Sequence, residues 1–420
     1  MSVAALVSAC SSAEDGTTGP NDDTAALTER LPEPAIWRVD PPVLNSEERR
    51  RHREIEHYLA QRYRGQRIVE TTQTYVGDII DWFDPATVPG SDAEPPPRPS
   101  PAELQPPPGT QVQLTELDVH PELRGPVGTI PVVRPSFEIY LRGETKALSV
   151  EDFVRNYQVP GRPGGPNRLY AGMATYAANQ RAVSDVNEFS GAIEADTFSL
   201  LEMAVIRRGS NPSTTHEQVG VAISRDMANF KNSTVRLQVE FLSAGLDVTG
   251  DLIGGWDGKA AGFVAAVGRP YGPGVALLAS TIGGTQYASH LEIQLFGSGW
   301  WISHNGNWLG YYPSERFDLI NFGADEVDWY GEVFDRTPTD WTWTNMGSGL
   351  FATAGNGKAA YFRRPFYYDT SGISHWPDQA FNVGPNDLAC YTRTNLSVGG
   401  VGSERYFYVG GPGGDATGCN

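Results

Sequence analysis

From Arg168 to the end of the chain, apolar residues alternate with polar ones in short runs cut by glycine, proline and asparagine, and no long helical spacing appears. Such alternation predicts strands joined by turns. In ADEVDWYGEVF (324 to 334), strand geometry puts Asp328, Tyr330 and Glu332 on one face and Trp329, Gly331 and Val333 on the other. WWISHNGNWLGYY (300 to 312) predicts a hairpin turning at Asn305-Gly306, a pair that tolerates the positive φ angles of a type I′ turn. A two-residue loop there pairs Ser303 with Trp308 and Trp301 with Gly310.

The first 167 residues carry a different pattern. NSEERRRHREIEHYLAQRYRG predicts a largely solvated helix, with Asn45 as cap, Glu48 three residues on and Gly65 as its end. His52 and His57 are five residues apart, on different helical faces, and read as surface residues. RIVETTQTYVGDIIDWFD (67 to 84) predicts one or two strands, and a capping box from Ser149 to Asp152 opens a second short helix. EPPPRPSPAELQPPPG (94 to 109) is a proline-rich spacer that samples polyproline II, and VPGRPGGPN (159 to 167) is a second exposed linker. Residues 1 to 35 comprise a signal remnant, VAALVSAC (3 to 10), and a polar, disordered tether from residue 11 to about 35. The expected fold class is all-β: an antiparallel, jelly-roll-like β-sandwich over 168 to 420, preceded by a smaller α+β region over 36 to 165.

Composition sharpens this. With 47 glycines, 31 prolines and 11% aromatics the chain suits a turn-rich β fold. A net charge of −18 without a basic stripe argues against a nucleic-acid partner. No run of eighteen apolar residues is present, so no membrane-spanning helix is expected.

The common hydrolase signatures fail one by one. His216-Glu217 begins like the zinc motif H-E-x-x-H, but Gly220 stands where the second histidine belongs. No serine has glycine two residues away on both sides, and GNGK (355 to 358) lacks the residues of a phosphate loop. Three cysteines offer neither a metal site nor a convincing nucleophile. No cofactor or metal is expected. What remains is carboxylate chemistry in an aromatic setting.

Several stretches carry a family pattern: GWWISHNGNWLGYYPSERF (299 to 317), A-x-x-V-x-W-x-G-E-V from Ala324 to Val333, NMGSGLF (345 to 351), AAYFR (359 to 363) and YFYVGGPGG (406 to 414). NEFS (187 to 190), FSLLEMAVIRRG (198 to 209) and HEQVGVAIS (216 to 224) precede them in the same order. Together they resemble the neprosin family of glutamic peptidases that cut after proline. The resemblance implies a catalytic pair of Glu332 and Glu217 on neighbouring strands of one concave sheet. Two glutamates facing each other share a proton and work best in acid. Tyr330 is a weaker candidate for holding the oxyanion, and Trp301, Trp308 and Tyr311 are candidates for a substrate wall. The stretches at 67 to 84, 127 to 143 and 149 to 159 resemble the family's activation peptide, although Trp82 stands where a cysteine is common. That implies a zymogen whose own pro-region inhibits it, acting on proline-containing peptides.

Leu6 to Ala9 before Cys10 resemble the end of a bacterial lipoprotein signal, giving an exported, cell-surface protein attached to a membrane only through a lipidated Cys10. In an exported protein, Cys390 and Cys419 are expected to form a disulfide that closes the terminal hairpin. Two other readings stay open: a non-catalytic sandwich that binds carbohydrate or a cell-wall polymer, and a glycosidase using the same carboxylates.

Overall fold

The alternating segments from Arg168 onward form two antiparallel sheets packed face to face. The computed structural model describes residues 46–135 and 168–420, apart from 196, 211–214, 231, 246–249, 259, 336–341, 384–389, 400–403, 416–417 and 420. The expectations for Cys10, Asn45, the tether, the capping box at Ser149 and the linker at 159 to 167 fall outside the described residues.

In chain order the N-terminal region contains helix α1 (Ser46–Arg62) and strands β1 (Ile68–Gln73), β2 (Ile79–Phe83), β3 (Gln111–Val112) and β4 (Ile130–Val133). Then follow β5 (Arg168–Thr175), β6 (Arg181–Asn187), β7 (Thr197–Arg208), β8 (His216–Asp226), β9 (Arg236–Leu242), β10 (Gly254–Trp256), β11 (Val264–Ala265) and β12 (Tyr287–Phe296). The remainder is β13 (Gly299–His304), β14 (Asn307–Pro313), β15 (Glu326–Asp335), β16 (Ala360–Tyr368), β17 (Ser374–His375), β18 (Gln379–Val383), β19 (Thr392–Arg393), β20 (Ser397–Val398), β21 (Arg405–Gly410), β22 (Gly414–Asp415) and β23 (Gly418–Cys419).

The first sheet has seven strands in the order β10-β9-β8-β7-β15-β5-β18. The second runs β11-β14-β13-β12-β6-β16-β21-β19, with β3, β17 and β20 attached at its sides. Trp329, Val333, Leu201, Met203 and Val221 from the first sheet meet Leu291, Ile293, Trp300, Ile302 and Phe362 from the second in one buried core. Trp329 also donates its indole N–H to the Val183 carbonyl of the second sheet, at 3.3 Å. The Trp329 face of β15 is therefore the core face, and the Tyr330–Glu332 face looks away from the sandwich.

The N-terminal region is not separate from this core. Strands β1, β2 and β4 make a small sheet, and Ile55, Tyr58 and Leu59 on one stripe of α1 join the sandwich core together with Ile80 and Trp82. Tyr58 donates to Asp251 at 2.6 Å, and Asp78 is ion-paired with Arg236. The helix is thus less solvated than its charge content suggests, because the three apolar positions at i, i+3 and i+4 dock.

Asn305 and Gly306 take φ of 51° and 74°, as the hairpin requires, and Ser303 pairs with Trp308 as expected. A bulge then shifts the register between Ile302 and Ser303, so that Trp301 lies opposite Tyr311 instead of Gly310. The two rings stack at 4.7 Å. At the C-terminus, Cys390 and Cys419 are bridged, with Cα atoms 5.1 Å apart.

Candidate active site

Strand parity assembles a cluster of carboxyl groups on the outer face of the seven-stranded sheet. Tyr330 and Glu332 on β15 lie opposite Glu202 and Leu200 on β7. Glu202 lies opposite Ala222 on β8, and Gly220 of β8 lies opposite Glu240 on β9. Gly220 carries no side chain into this space. A Cβ there would collide with Glu202 Oε1 and come within 3.0 Å of Glu240 Cγ, so the glycine is what lets the two carboxyl groups meet across β8.

Around the pair the polar contacts are specific. Gln218 donates its amide N–H to Glu202 at 3.3 Å and also to Glu240. Tyr330 donates its hydroxyl to Glu202 Oε2 at 2.7 Å. Glu332 is ion-paired with Arg168, the first residue of β5, whose guanidinium lies over the rings of Phe334 and Phe198 at 4.7 and 5.5 Å. Tyr170, Phe381 and Tyr330 add an aromatic wall beside Glu332, with ring centroids 5.7 and 6.4 Å from that of Tyr330. Although this face points away from the sandwich core, Glu202, Glu332 and Tyr330 are all buried.

The electrostatics follow from that burial. Desolvation, with Glu240 close by, pushes the Glu202 carboxyl well above its ordinary value. Burial pushes Glu240 up to about 7, and the Glu332 charge adds to the shift. Burial and the surrounding carboxylates also hold Tyr330 firmly as the phenol. The pair behaves as two acids that cannot both ionise cheaply. Farther along β15 a second carboxyl pair occurs, Glu326 and Asp328, with Arg208 donating to Glu326 at 2.6 Å. Burial, then the Glu326 charge, raises Asp328 well above the usual range.

The structure does not bring Glu217 and Glu332 together. β7 lies between their strands, and Glu217 points to the opposite face of the sheet. The reason is the two-residue period of a strand: Gln218 and Gly220 face Glu202, so Glu217 one position away cannot. Its carboxylate instead accepts the backbone N–H groups of Asp318, Leu319 and Ile320 at 2.8, 2.8 and 2.7 Å, tying down the loop after β14. Tyr330 does share a face with Glu332, but its hydroxyl is committed to Glu202. Trp301, Trp308 and Tyr311 lie elsewhere, in a separate buried cluster with Ala266 on the second sheet. Among the described residues no group of His, Cys, Asp and Glu is arranged to hold a metal. Glu202, Glu240, Gln218 and Arg168 were not singled out from the sequence; the readable signal was one acidic residue inside each of two largely apolar runs, FSLLEMAV and LQVEFL.

A family model, Neprosin, matches residues 195–412, more than half of the 420-residue chain and all of the strands that carry Glu202, Gln218, Glu240 and Glu332. The chain belongs to the neprosin family. Neprosin proteins are associated with peptidase activity. Similar solved structures are far more distant. A single mutant of congerin II is 10% identical, with 40% of this chain and 95% of that one covered and a TM-score of 0.20. A carbohydrate-binding module from Bacillus subtilis is 12% identical, with 41% and 76% covered and a TM-score of 0.18. The κ-carrageenase from Pseudoalteromonas carrageenovora is 8% identical, with 56% and 65% covered and a TM-score of 0.20.

Proposed function

We infer that this neprosin-family protein is an acid-acting glutamic endopeptidase directed to proline, made with residues 36–165 as an inhibitory pro-region and exported to the cell surface. The observation that carries the reading is the meeting of Glu202 and Glu240 across Gly220, within electrostatic reach of Glu332. Glu332, with Arg168 as its countercharge, draws a proton from the water that attacks the peptide carbonyl. The Glu202–Glu240 pair holds a proton at near-neutral pH and donates it to the departing amine as the C–N bond breaks. Tyr330 and Gln218 position the acid through their hydrogen bonds to Glu202 and Glu240. The rings of Tyr170, Tyr330 and Phe381 offer an apolar seat for a proline side chain.

The first test is an assay of a proline-containing peptide and an oligosaccharide panel at acid pH on the chain cut in its 159–167 linker. Peptide cleavage is expected, with Glu332→Gln and Glu240→Gln each lowering the rate by ~10² to 10⁴ while the protein stays folded. The double variant should be scarcely slower than either single one. A folded Glu332→Gln protein with near-normal peptidase activity would reject the assignment. Turnover or binding confined to the sugars would favour the carbohydrate reading.

A further inference from the structure

The proline-rich segment expected to be a free spacer is seated on the protein. Residues 93–100 form neither helix nor strand, yet Pro96 and Pro99 are buried. A three-residue repeat is the period of a polyproline II helix, so the buried prolines mark one face of such a helix turned to the surface. Both ends are anchored. At the start, Val267 donates to the Ser91 carbonyl at 3.0 Å, Tyr311 donates to the Gly90 carbonyl at 3.2 Å, and Ala93 packs on the Trp301–Trp308–Tyr311 cluster. At the end, Arg364 donates to the Gln105 carbonyl at 3.0 Å, Asn305 donates to the Gln113 carbonyl at 2.9 Å, and β3 pairs with β12.

Beside the strap opens a cleft of about 480 Å³, lined by the exposed strap residues Glu94, Pro95 and Arg98 together with Ala266, Arg269 and Trp308. Trp308 is 6% exposed, and its indole N–H has no acceptor among the described residues. An aromatic wall is the chemistry by which polyproline II ligands are held, with rings packed against the proline faces; the seated strap leaves the Trp308 N–H unused.

We propose that the outer face of the second sheet, walled by Trp301, Trp308 and Tyr311, is a docking groove for proline-rich peptides in the polyproline II conformation. The chain's own 94–109 segment occupies this groove in cis, and a proline-rich segment of another protein takes it when the strap is displaced. The groove is on the opposite sheet from the carboxyl cluster. It therefore acts as a separate anchoring site, and its test is independent of the peptidase assignment.

The experiment uses the full chain carrying Pro96→Ala and Pro99→Ala, which loosens the strap without altering the groove. A fluorescein-labelled peptide of residues 92–109 is titrated and followed by anisotropy. Saturable binding to this variant is expected. Binding to the parent chain should be at least ~10-fold weaker, because a tethered segment competes at high effective concentration. Adding Trp308→Leu, which removes a ring from the wall, should weaken binding ~10-fold. A peptide with alanine at every proline is the control on the ligand side and does not depend on how any groove variant folds.

Equal binding of the two peptides, no binding to the folded double variant, or unchanged affinity with Trp308→Leu overturns the proposal. If the double variant does not fold, the parent and Trp308→Leu chains are compared by the rate at which a Glu-specific protease cuts after Glu103. A severalfold faster cut in Trp308→Leu supports the groove, and an unchanged rate overturns it.

Discussion

Glu217 and Gln218 are one residue apart and do unrelated work, and the difference is only which side of β8 each faces. Glu217 satisfies three backbone donors of the 318–320 loop, so Glu217→Ala should cost about 3 kcal/mol of stability, read as a lower urea midpoint. Its peptidase rate per folded molecule should hold. Gly220→Ala should do the reverse of this in activity, since its Cβ pushes Glu202 away from Glu240; a variant of full activity would contradict the assigned cluster. Parity along β15 was legible, because Asp328, Tyr330 and Glu332 alternate cleanly with Trp329 and Val333. Which glutamate partners Glu332 was not, since that depends on strand order, and β7 enters between β8 and β15 from an earlier part of the chain. Burial also leaves a pH signature. Glu240 and Glu188 are both pushed up to about 7, so the folded state holds their protons more tightly than an unfolded chain with its ordinary value of 4.5. Their contribution to stability is full below about pH 4.5 and is lost as pH rises through about 7. Thermal melts should therefore show a decline over that window, flattened by Glu240→Gln.

At the scale of the element, local signals were reliable and their continuation was less so. The Asn305-Gly306 turn reads directly from two residues that accept positive φ. The bulge two positions away does not, and it is the bulge that puts Trp301 against Tyr311. Gly306 faces Leu104 of the strap, so any side chain there meets both an unfavourable φ of 74° and an occupied site. Gly306→Ala should lower stability by ~1 kcal/mol or more and speed proteolysis of the 94–109 segment ahead of the sandwich, as followed by mass spectrometry. Proline content alone marked that segment as a spacer; Leu104 meets Gly306 and Gln105 meets Arg364, some 200 positions or more along the chain, which no local pattern reveals.

The whole molecule is held by contacts distant in sequence. The Cys390–Cys419 bridge closes 29 residues that include β21 of the second sheet, and Cys419→Ser should cost about 3 kcal/mol through the freedom it returns to the unfolded chain. An unchanged denaturant midpoint would count against that. Fold class followed from alternation and turn residues, whereas the division between the N-terminal region and the sandwich follows the chain more closely than it follows the packing. Helix α1 and the β1–β2 hairpin lend Ile55, Leu59, Ile80 and Trp82 to the same interior as Trp300 and Trp329. A break in the chain between residues 159 and 167 therefore creates a new pair of termini without creating two particles. The nicked protein should still sediment as one body of 45.7 kDa, and its smaller half should leave only in a solvent that opens the common interior.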